Sequence, residues 1–447
     1  KCMEKWIYIL ERWQKILWGM PMLVLLLASG ALLMVKTRFF LFRKSDLIVR
    51  KTIGSLGAKK QQGITSFQAV TTALAGTLGV GSIVGVATAI TMGGAGALFW
   101  MCVSALFGMM CKYGEVVLAM HYRHKENGVS YGGAMYVLEK GCRMPVLGVL
   151  FALFCILASF GIGNITPTNT IVESVRVYLP LPPLFITALL AVLVASLIFG
   201  KGNRIMRLNE KLIPFVSVLY IAACGYLLFL HREHLFSAVL FVLQDALAID
   251  ALEGGIGGFV ISKAIHFGVS RGVFSNEAGM GSSPLSHAGV VDANPVEQGF
   301  WGIFEVFFDT LVICLITGMM ILTSDAYGLG LEGAALVIAC FQEGFGVWGG
   351  ILFACAIVSF ALPSILGWYY YARECIHYLF TTKLMLHLYQ ACFLGVLVCC
   401  GSFDFVYVWY LADVLNALMA IPNLISLFLL NKDVVKLTKE YLILYGR

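Results

Sequence analysis

Eleven apolar stretches set the strongest limit on what this chain can fold into. Each approaches the length of about 20 residues that a helix needs to cross a bilayer. Hydrocarbon offers no hydrogen-bond partners, so a segment that crosses it must satisfy its own backbone as a helix. The stretches are residues 16–35, 66–91, 95–120, 145–171, 183–200, 212–230, 241–268, 298–322, 336–370, 384–400 and 405–430. The charged share is only 13%, whereas a soluble chain carries about 25%. The sequence therefore predicts an all-α polytopic membrane protein with about 11 transmembrane helices.

The basic residues predict the orientation of these helices. The loop between the first two stretches holds eight of them, from Lys36 to Lys60, and every second loop after it is also basic. Arg271 is the basic residue that we assign to the fourth of these loops, and the alternate loops contain only Arg176 and Arg232. By the positive-inside rule the basic loops are cytoplasmic. We therefore expect a multi-pass protein of the plasma or inner membrane, with its N-terminus outside and its C-terminus in the cytoplasm.

Glycine is dense in the second stretch, within Thr71–Trp100. Each glycine weakens a helix by about 1 kcal/mol relative to alanine. A broken helix is tolerated at membrane depth where its freed backbone groups line a cavity and bind a ligand. Close helix packing is the alternative for Gly81 and Gly85, because small residues at four-residue spacing let two backbones approach. Packing explains Gly76 and Gly79 poorly, so we expect a broken helix with a binding site.

A second glycine-rich run, Glu253–Phe259, lies in the seventh stretch. If the first helix is set aside, ten stretches form two sets of five, and an odd number per set makes any repeat an inverted one. The two glycine runs then fall at the start of each set, and such paired interruptions point to the central site of a transporter. We expect four parts: residues 1–60 (an extra helix and a basic loop), 61–235 and 236–435 (two five-helix repeats) and 436–447 (a cytoplasmic tail).

Several motifs resemble those of one transporter family. The most specific is SRGVFSNEAGMGSSPLSHAGVVDANPVEQ at 270–298, and GALFWM at 96–101, EVVLAMHYR at 115–123, FGIGN at 160–164, NEKLIPF at 209–215 and LMAIPNL at 418–424 accompany it. From about Thr37 to Leu430 the chain is similar to the alanine or glycine:cation symporters of the amino acid–polyamine–organocation superfamily. The resemblance implies a leucine-transporter-like fold of 5+5 inverted repeats behind one extra helix. It also implies sodium-coupled uptake of small neutral amino acids, with sodium as the coupling ion and with no obligate protein partner.

The expected substrate is a zwitterion, which suits the ends of broken helices. A helix N-terminus offers amides and partial positive charge to a carboxylate, and C-terminal carbonyls receive an ammonium group or a sodium ion. We expect the opposite wall at the second glycine run and a lid at Phe160 or Phe259, with no intramembrane Arg or Asp placed to neutralise a charged side chain. The candidate substrate residues are Thr77, Gly79, Val80, Gly81, Ser82, Phe160, Gly254, Gly255, Ile256 and Phe259, and the carbonyls of Ala75 and Gly76 are further candidates.

The resemblance also implies a cation site between the first broken helix and the eighth core helix. It assigns the carbonyls of Ala75 and Leu78 and the hydroxyl of Ser364 to that site. The family usually has Ser-Thr where this chain has Pro363-Ser364, and Asn where this chain has Ser82. It also has Gln and Pro at the positions of Pro167 and Ala95. A proton-coupled or uncoupled amino acid facilitator, or a sensor with a degenerate cation site, is therefore the alternative function.

Other functional classes lack their motifs. The sequence contains no HExxH or P-loop motif and no basic stripe that alternates with aromatic residues. We therefore expect neither an enzyme nor a nucleic-acid-binding protein.

A few polar residues fall in or beside the apolar stretches and keep more than one interpretation. Lys112 and Glu115 have helical i,i+3 spacing, so an ion pair is favoured over a proton relay through Glu115. For Ser275–Glu277 we expect capping chemistry in a cytoplasmic loop. Asp309 is expected to pair or gate inside the bundle, although its partner cannot be identified. Asn164 and Asn169 suit either a cavity lining or interhelical hydrogen bonds.

Overall fold

The computed structural model describes residues 2–56, 63–126, 128–200, 204–247, 257–400 and 405–445. These residues are almost entirely helical, and the two short strands β1 (His124–Glu126) and β2 (Val129–Tyr131) pair antiparallel in one hairpin. The prediction of an all-α membrane protein is confirmed. In chain order the helices as far as β1 are α1 (Cys2–Leu17), α2 (Met20–Lys36), α3 (Phe40–Arg43), α4 (Ser45–Lys51), α5 (Ser66–Thr77), α6 (Val80–Gly93) and α7 (Gly96–His121).

The helices after the hairpin complete the bundle. They are α8 (Ala134–Tyr136), α9 (Pro145–Phe160), α10 (Thr166–Arg176), α11 (Pro183–Ile198), α12 (Arg204–Leu230), α13 (Arg232–Leu247), α14 (Gly257–Asn276), α15 (Pro284–His287), α16 (Pro295–Val306), α17 (Leu315–Thr323), α18 (Gly333–Phe345), α19 (Val347–Leu379), α20 (Lys383–Cys399), α21 (Phe405–Leu429) and α22 (Asn431–Tyr445). The described residues include three π-helical segments: Val137–Gly141 follows α8, Gly161–Ile165 joins α9 to α10, and Phe307–Cys314 joins α16 to α17. Such wide turns inside helices often mark functional sites.

Most of the predicted spans coincide with helices. Within the described ranges, seven helices are long and apolar enough to cross a membrane, or eight if α5 and α6 count as one bent span. The shorter apolar helices α11, α18 and α20 have 10–17 residues. The predicted stretch 336–370 is not continuous, because Gly346 has a φ of +58° and ends α18 before α19 begins. The predicted stretch 241–268 includes residues 248–256, which lie outside the described residues.

Large apolar side chains cover the outside of the bundle. Helix α11 illustrates this, because Leu184, Phe185, Leu189 and Val192 are all exposed while Ile186, Leu190 and Val194 are buried. A soluble protein rarely leaves so much contiguous apolar surface to water. This pattern fits a helix with one face toward lipid and the other toward the bundle.

The first predicted break is present. Helix α5 begins with a capping box, in which the Thr65 side chain accepts from the Gln68 amide and the Gln68 side chain accepts from the Thr65 amide. It ends at Thr77, where Leu78 and Gly79 leave the helical conformation, and α6 restarts at Val80 after a bend of 40°. The glycine density in this span therefore predicted its break correctly.

The second break of the described chain lies at Glu277–Ser283. This segment separates α14 from α15, and Glu277, Gly279 and Gly281 have φ values of +52°, +88° and +76°. The segment is buried throughout. Of the predicted break at Glu253–Phe259, residues 253–256 lie outside the described residues. Phe259 is already helical, because α14 begins at Gly257.

Candidate functional site

The two breaks meet at a small enclosed cavity. Residues from α5 and α6, the π-helical turn after α9, the beginning of α10, the end of α14 and α19 converge there. Its lining consists of Gly76, Thr77, Gly79, Val80, Gly81, Ile162, Thr166, Pro167, Phe274, Glu277 and Ser364. The structure therefore brings together four of the predicted substrate residues, Thr77, Gly79, Val80 and Gly81, with the predicted cation ligand Ser364.

Glycines let the helices approach closely around this cavity. A Cβ at Gly76 would lie 2.9 Å from the Tyr371 hydroxyl, and one at Gly367 would lie 3.2 Å from the Gly76 nitrogen. A Cβ at Gly81 would lie 3.3 Å from the Ser275 Cα, so close packing does explain Gly81. The packing interpretation fails for Gly85, whose Cβ would meet only the carbonyl oxygen of Val80, at 3.9 Å.

Behind the first break, oxygen atoms gather around a buried carboxylate. Asp309 lies in the π-helical segment Phe307–Cys314 and is fully buried. The Ser82 hydroxyl lies 2.5 Å from Asp309 Oδ1 and 3.1 Å from the Thr77 carbonyl oxygen. The hydroxyls of Ser275 and Thr310 donate to Asp309 Oδ2 at 2.9 and 3.0 Å. Asp309, whose partner the sequence did not identify, is thus held by hydroxyl groups from α6, α14 and its own segment.

No positive side chain neutralises Asp309 among the described residues. No Lys, Arg or His nitrogen of the described ranges forms an ion pair with it within 4.0 Å. An isolated charge in a membrane-embedded interior is costly and marks a functional position. We call Thr77, Ser82, Ser275 and Asp309 the oxygen cluster.

Ser275–Glu277 is not the surface loop that we expected. Ser275 and Asn276 are the last residues of α14, and all three residues are buried. Ser275 belongs to the oxygen cluster, while Asn276 accepts from the Ala278 amide at 3.0 Å and so begins the non-helical segment. The interpretation as a cytoplasmic loop is therefore wrong, because long-range bonds bury this polar run at the centre of the bundle.

Glu277 places a carboxylate in the cavity wall. Its Oε2 accepts from the Ser282 hydroxyl, while its Oε1 is buried without a hydrogen-bond partner among the described residues. The Trp368 indole lies near this carboxylate, but its Nε1 completes no hydrogen bond of good geometry within the same residues. From the sequence we considered only Arg and Asp as charged neighbours of the site, and the structure places a glutamate there.

Lys112 braces the second break. Its Nζ, fully buried on α7, donates to the Glu277 carbonyl oxygen at 3.0 Å and to the Ser283 hydroxyl at 2.8 Å, and it pairs with Glu305 Oε1 at 3.3 Å. The expected Lys112–Glu115 ion pair is absent from the described residues. Glu115 instead accepts from Asn423 Nδ2 at 2.5 Å. The i,i+3 spacing misled the prediction because both side chains reach past their own helix to bind other elements.

Two predicted substrate residues do not line the cavity, and the backbone of a third lies far from it along α14. Ser82 points away from it into the oxygen cluster. Phe160 packs its ring against Tyr389 and Phe393, with centroid distances of 5.4 and 6.0 Å, so it is not the lid. Phe259 lies 18 residues before Glu277, about 27 Å along α14 at 1.5 Å per residue. Gly254, Gly255 and Ile256 lie outside the described residues, and Phe274 is the aromatic side chain in the lining.

The predicted cation ligands lie close together at the first break. Ala75 and Leu78 are fully buried, and Ser364 Oγ lies 3.5 Å from the Gly76 carbonyl oxygen. Pro363 is buried in the interior of α19 beside Ser364. For Asn164 the structure favours one of the two open interpretations, because its Nδ2 donates to the Phe393 carbonyl oxygen at 2.7 Å. Asn169 is also buried, and its Nδ2 has no partner among the described residues.

Sequence reasoning missed Phe274 and Glu277 as residues that line the cavity, and it missed Ser275 as a member of the oxygen cluster. All three belong to the 270–298 motif, so the most specific motif of the chain contains the second break. The pair Gly279 and Gly281 was the available signal for that break. It is shorter than the run at 253–259 and therefore looked weaker.

Solved structures confirm the fold. The crystal structure of MhsT in complex with L-phenylalanine matches 84% of this chain and 98% of its own, with a TM-score of 0.59 and 17% identity. A manganese transporter of Eremococcus coleocola matches 81% of this chain and 76% of its own, with a TM-score of 0.52 and 13% identity. At these identities the likeness shows the fold alone. The predicted leucine-transporter-like architecture is confirmed.

Sequence relatives show the family. The chain is 38% identical over 436 residues to the sodium/alanine symporter AgcS of Methanococcus maripaludis, covering 95% of this chain and 94% of that protein. It is 36% identical over 441 residues to an uncharacterized transporter of Haemophilus influenzae, covering 97% and 95%. It is 35% identical to the probable sodium/glutamine symporter GlnT of Bacillus subtilis, covering 95% and 88%. The model of the sodium:alanine symporter family matches residues 3–444. The chain belongs to the sodium:alanine symporter family.

Proposed function

We propose that this secondary transporter couples the entry of small neutral amino acids, alanine and glycine above all, to sodium. Membership of the family makes it a transporter and not an enzyme, and the coupling ion and the substrate are the parts proposed here. The observation that carries the proposal is the oxygen cluster, which presents a fully buried carboxylate with no positive partner among the described residues.

The chemistry of the oxygen cluster suits sodium. Sodium in transporters of this kind is held by backbone carbonyls and hard oxygens beside broken helices. The Thr77 carbonyl, the hydroxyls of Ser82 and Ser275 and the Asp309 carboxylate supply such oxygens, and each lies 2.5–3.1 Å from at least one other member of the cluster. A cation bound there would take the place of the hydrogen bonds that Asp309 now accepts from hydroxyl groups. It would also offset the negative charge of the Asp309 carboxylate. The carbonyls of Ala75 and Leu78 with Ser364 remain a second proposed position, weakened by Pro363.

The cavity suits a zwitterion. Helix α6 begins at the cavity, which Val80 and Gly81 line, and the positive end of a helix favours a carboxylate. Gly76 and Thr77 at the end of α5 and Glu277 line the same cavity. Backbone carbonyls there, and the Glu277 Oε1 that has no hydrogen-bond partner among the described residues, suit an ammonium group. Phe274, Ile162 and Pro167 bound a cavity of only about 20 Å³ in this structure, so its walls must move apart to admit an amino acid, and a small side chain requires the least movement. These features support alanine or glycine over branched substrates.

Transport assays in proteoliposomes test the proposal directly. We expect labelled alanine to accumulate under an inward sodium gradient and not under an equal potassium gradient. Unlabelled alanine and glycine should compete better than leucine or lysine. Equal uptake with and without sodium refutes the coupling, and better competition by leucine or lysine refutes the substrate assignment.

Proton coupling is the second candidate function, because hydroxyl groups surround Asp309 and the same carboxylate can hold a proton in place of sodium. A pH gradient imposed in sodium-free buffer distinguishes the two candidates. Uptake that follows the pH gradient without sodium would favour the proton. Uptake that follows neither gradient would favour the facilitator or sensor.

The orientation with the N-terminus outside, in the plasma or inner membrane, is also proposed. It is supported by the alternation of the other basic loops. The assignment of Arg271 to a cytoplasmic loop is wrong, because Arg271 lies within α14. Labelling of single cysteines introduced at loop positions with a membrane-impermeant reagent tests it.

A further inference from the structure

A cavity of about 180 Å³ lies where α19 ends and α20 begins. The two helices and the turn between them supply most of its lining, and Tyr131 of β2 adds a ring that stacks on His377 at a centroid distance of 4.1 Å. A single water needs about 10–15 Å³ of such space, so the cavity has room for a phosphate group and the atoms attached to it. It shares no lining residue with the central cavity.

Positive charge exceeds negative charge in the lining of this cavity. Arg373 and Lys383 line it, and Glu374 is its one carboxylate among the described residues. Glu374 is already compensated, because its Oε1 accepts from Arg373 Nε and Nη2 at 3.2 and 2.8 Å. Lys383 forms no ion pair within 4.0 Å with a carboxylate of the described residues. The Lys383 ammonium group is therefore available to an anionic ligand.

The beginning of α20 adds to this positive charge. Thr382 and Lys383, the residues at which the helix begins, both line the cavity. The first N–H groups of a helix have no partner inside the helix, and the Thr382 side chain does not cap them. The positive end of a helix favours phosphate oxygens. The helix end therefore supports the side chains in attracting a phosphate group.

The length of α20 places the cavity at the level of the lipid headgroups. The 17 residues of α20 extend over about 26 Å at 1.5 Å per residue. This is less than the hydrocarbon core, which is about 30 Å thick. A lysine at the first position of such a helix extends its ammonium group to the membrane surface. Lipid phosphates lie at that surface.

An apolar stripe runs from the cavity along α20. Leu384 and Leu388 are 60% and 50% exposed and lie one helical turn apart. Successive residues of a helix are about 100° apart, so Lys383 lies between Leu384 on the stripe and Leu386 in the cavity lining. Phe380, which is 42% exposed, also lines the cavity. A ligand with its phosphate in the cavity can therefore place an acyl chain along α20.

We propose that this cavity binds an anionic glycerophospholipid, with its phosphate at Lys383 and the first turn of α20 and an acyl chain on Leu384 and Leu388. Basic pockets between membrane helices bind such headgroups. A soluble phosphate compound shares the headgroup chemistry but leaves the apolar stripe unused. The inference does not depend on the coupling ion or on the transported substrate. Since α19 also carries Ser364 of the central cavity, a bound lipid would anchor one wall of that cavity to the membrane surface.

Lipid binding to the full-length protein in detergent provides the first test. Native mass spectrometry follows a titration with short-chain phosphatidylglycerol. Lys383→Gln removes the available charge and should weaken binding about tenfold, equivalent to about 1.4 kcal/mol. Lys439→Gln is the matched control, because it removes one exposed lysine from α22, outside the cavity, and it should bind as the wild type does. Equal affinity in Lys383→Gln and the wild type, or an equal loss in both variants, would overturn the inference.

A second comparison distinguishes a lipid from a free phosphate compound. Glycerol phosphate carries the headgroup chemistry without acyl chains and should bind at least tenfold more weakly than phosphatidylglycerol. Leu384→Ser interrupts the apolar stripe, so it should weaken the binding of phosphatidylglycerol and leave that of glycerol phosphate unchanged. Equal binding of the two probes, or no effect of Leu384→Ser on the lipid, would overturn the assignment to a lipid.

Phosphatidylcholine with the same acyl chains tests the charge of the ligand. Its headgroup has no net charge, so it should bind at least fivefold more weakly than phosphatidylglycerol, and equal binding would overturn the anionic selectivity. If a variant fails to fold, the comparison of the three probes in the wild type still decides the inference. A wild type that transports no alanine but binds phosphatidylglycerol selectively would overturn the proposed function and leave the lipid site intact.

Discussion

Replacing Asp309 with Asn should separate the charge of the oxygen cluster from its shape. The carboxylate accepts the hydroxyls of Ser82 and Ser275, one at each oxygen, at 2.5 and 2.9 Å. An amide keeps one acceptor oxygen, so Asn loses the charge and one of the two acceptors. Two unit charges 4 Å apart interact by about 4 kcal/mol at an effective dielectric constant of about 20. Since one oxygen ligand remains, we expect a loss of about 3 kcal/mol, which weakens sodium binding somewhat more than a hundredfold.

The sign of the effect on stability makes this prediction distinctive. A ligand that binds only the folded protein stabilises it by about 2.7 kcal/mol at a concentration one hundred times its Kd. The melting temperature of the wild type should therefore rise as sodium replaces choline, while that of the Asp309→Asn variant should stay nearly flat over the same range. Without sodium the variant should be as stable as the wild type or more stable, because it no longer buries an uncompensated charge.

Asp245→Asn is the matched control for this experiment. Asp245 also accepts a hydrogen bond, from the Gly96 amide at 2.6 Å, but it lies on α13 outside the cluster. Its substitution should lower stability equally with and without sodium and leave the sodium dependence of melting and of uptake unchanged. If Asp309→Asn retained the sodium half-saturation of the wild type, the oxygen cluster would not be the cation site.

Three further predictions concern the cavity and its supports. A Cβ at Gly79 meets only Ser364, at 3.9 Å, so Gly79→Ala should keep measurable uptake. Gly79→Leu should abolish uptake while surface expression is retained. Uptake by the Leu variant would mean that this glycine serves packing alone. Pro363→Ser restores a hydroxyl that the family usually has, and it should lower the sodium half-saturation in uptake assays; no change would indicate that this second position does not bind the cation. Lys112→Met removes the lysine partner of the buried Glu305 and leaves it, among the described residues, only His287 Nε2, at 3.4 Å from its Oε2. Breaking a buried pair costs about 3–5 kcal/mol, so folded yield by size-exclusion chromatography should fall sharply, and Lys112→Met with Glu305→Gln should recover part of it. A folded yield of the single variant equal to that of the wild type would contradict the bracing role.

Local sequence information was enough for the spans and for the first break. Apolar runs predict helices in a membrane because hydrocarbon leaves the backbone no other partner. Glycines within one such run, at Gly76 and Gly79, weaken the helix where it breaks. The capping box at Thr65 is likewise local, since all its bonds lie within four residues.

Long-range hydrogen bonds and packing determine the features that the sequence analysis did not predict. The second break is held open by Lys112 from α7 and by Asn423, which donates to the Gly279 carbonyl oxygen at 2.9 Å from 144 residues away. No local propensity encodes such contacts, so the denser glycine run at 253–259 looked like the better candidate. Phe160 and Phe274 are equivalent by composition, and only the packing of Phe160 against α20 distinguishes them.

The brace at Lys112 has a mechanical consequence for alternating access. The Lys112 ammonium group donates to both ends of Glu277–Ser283 and forms an ion pair with Glu305 on α16. Both ends of the segment are therefore fixed to α7, and the segment cannot act as a free hinge between α14 and α15. Its amides should exchange with deuterium as slowly as those of α7. During the transport cycle α7, the segment Glu277–Ser283 and α16 must then move as one body. The helices that move relative to this body are α5 and α6, which meet at the bend of 40°.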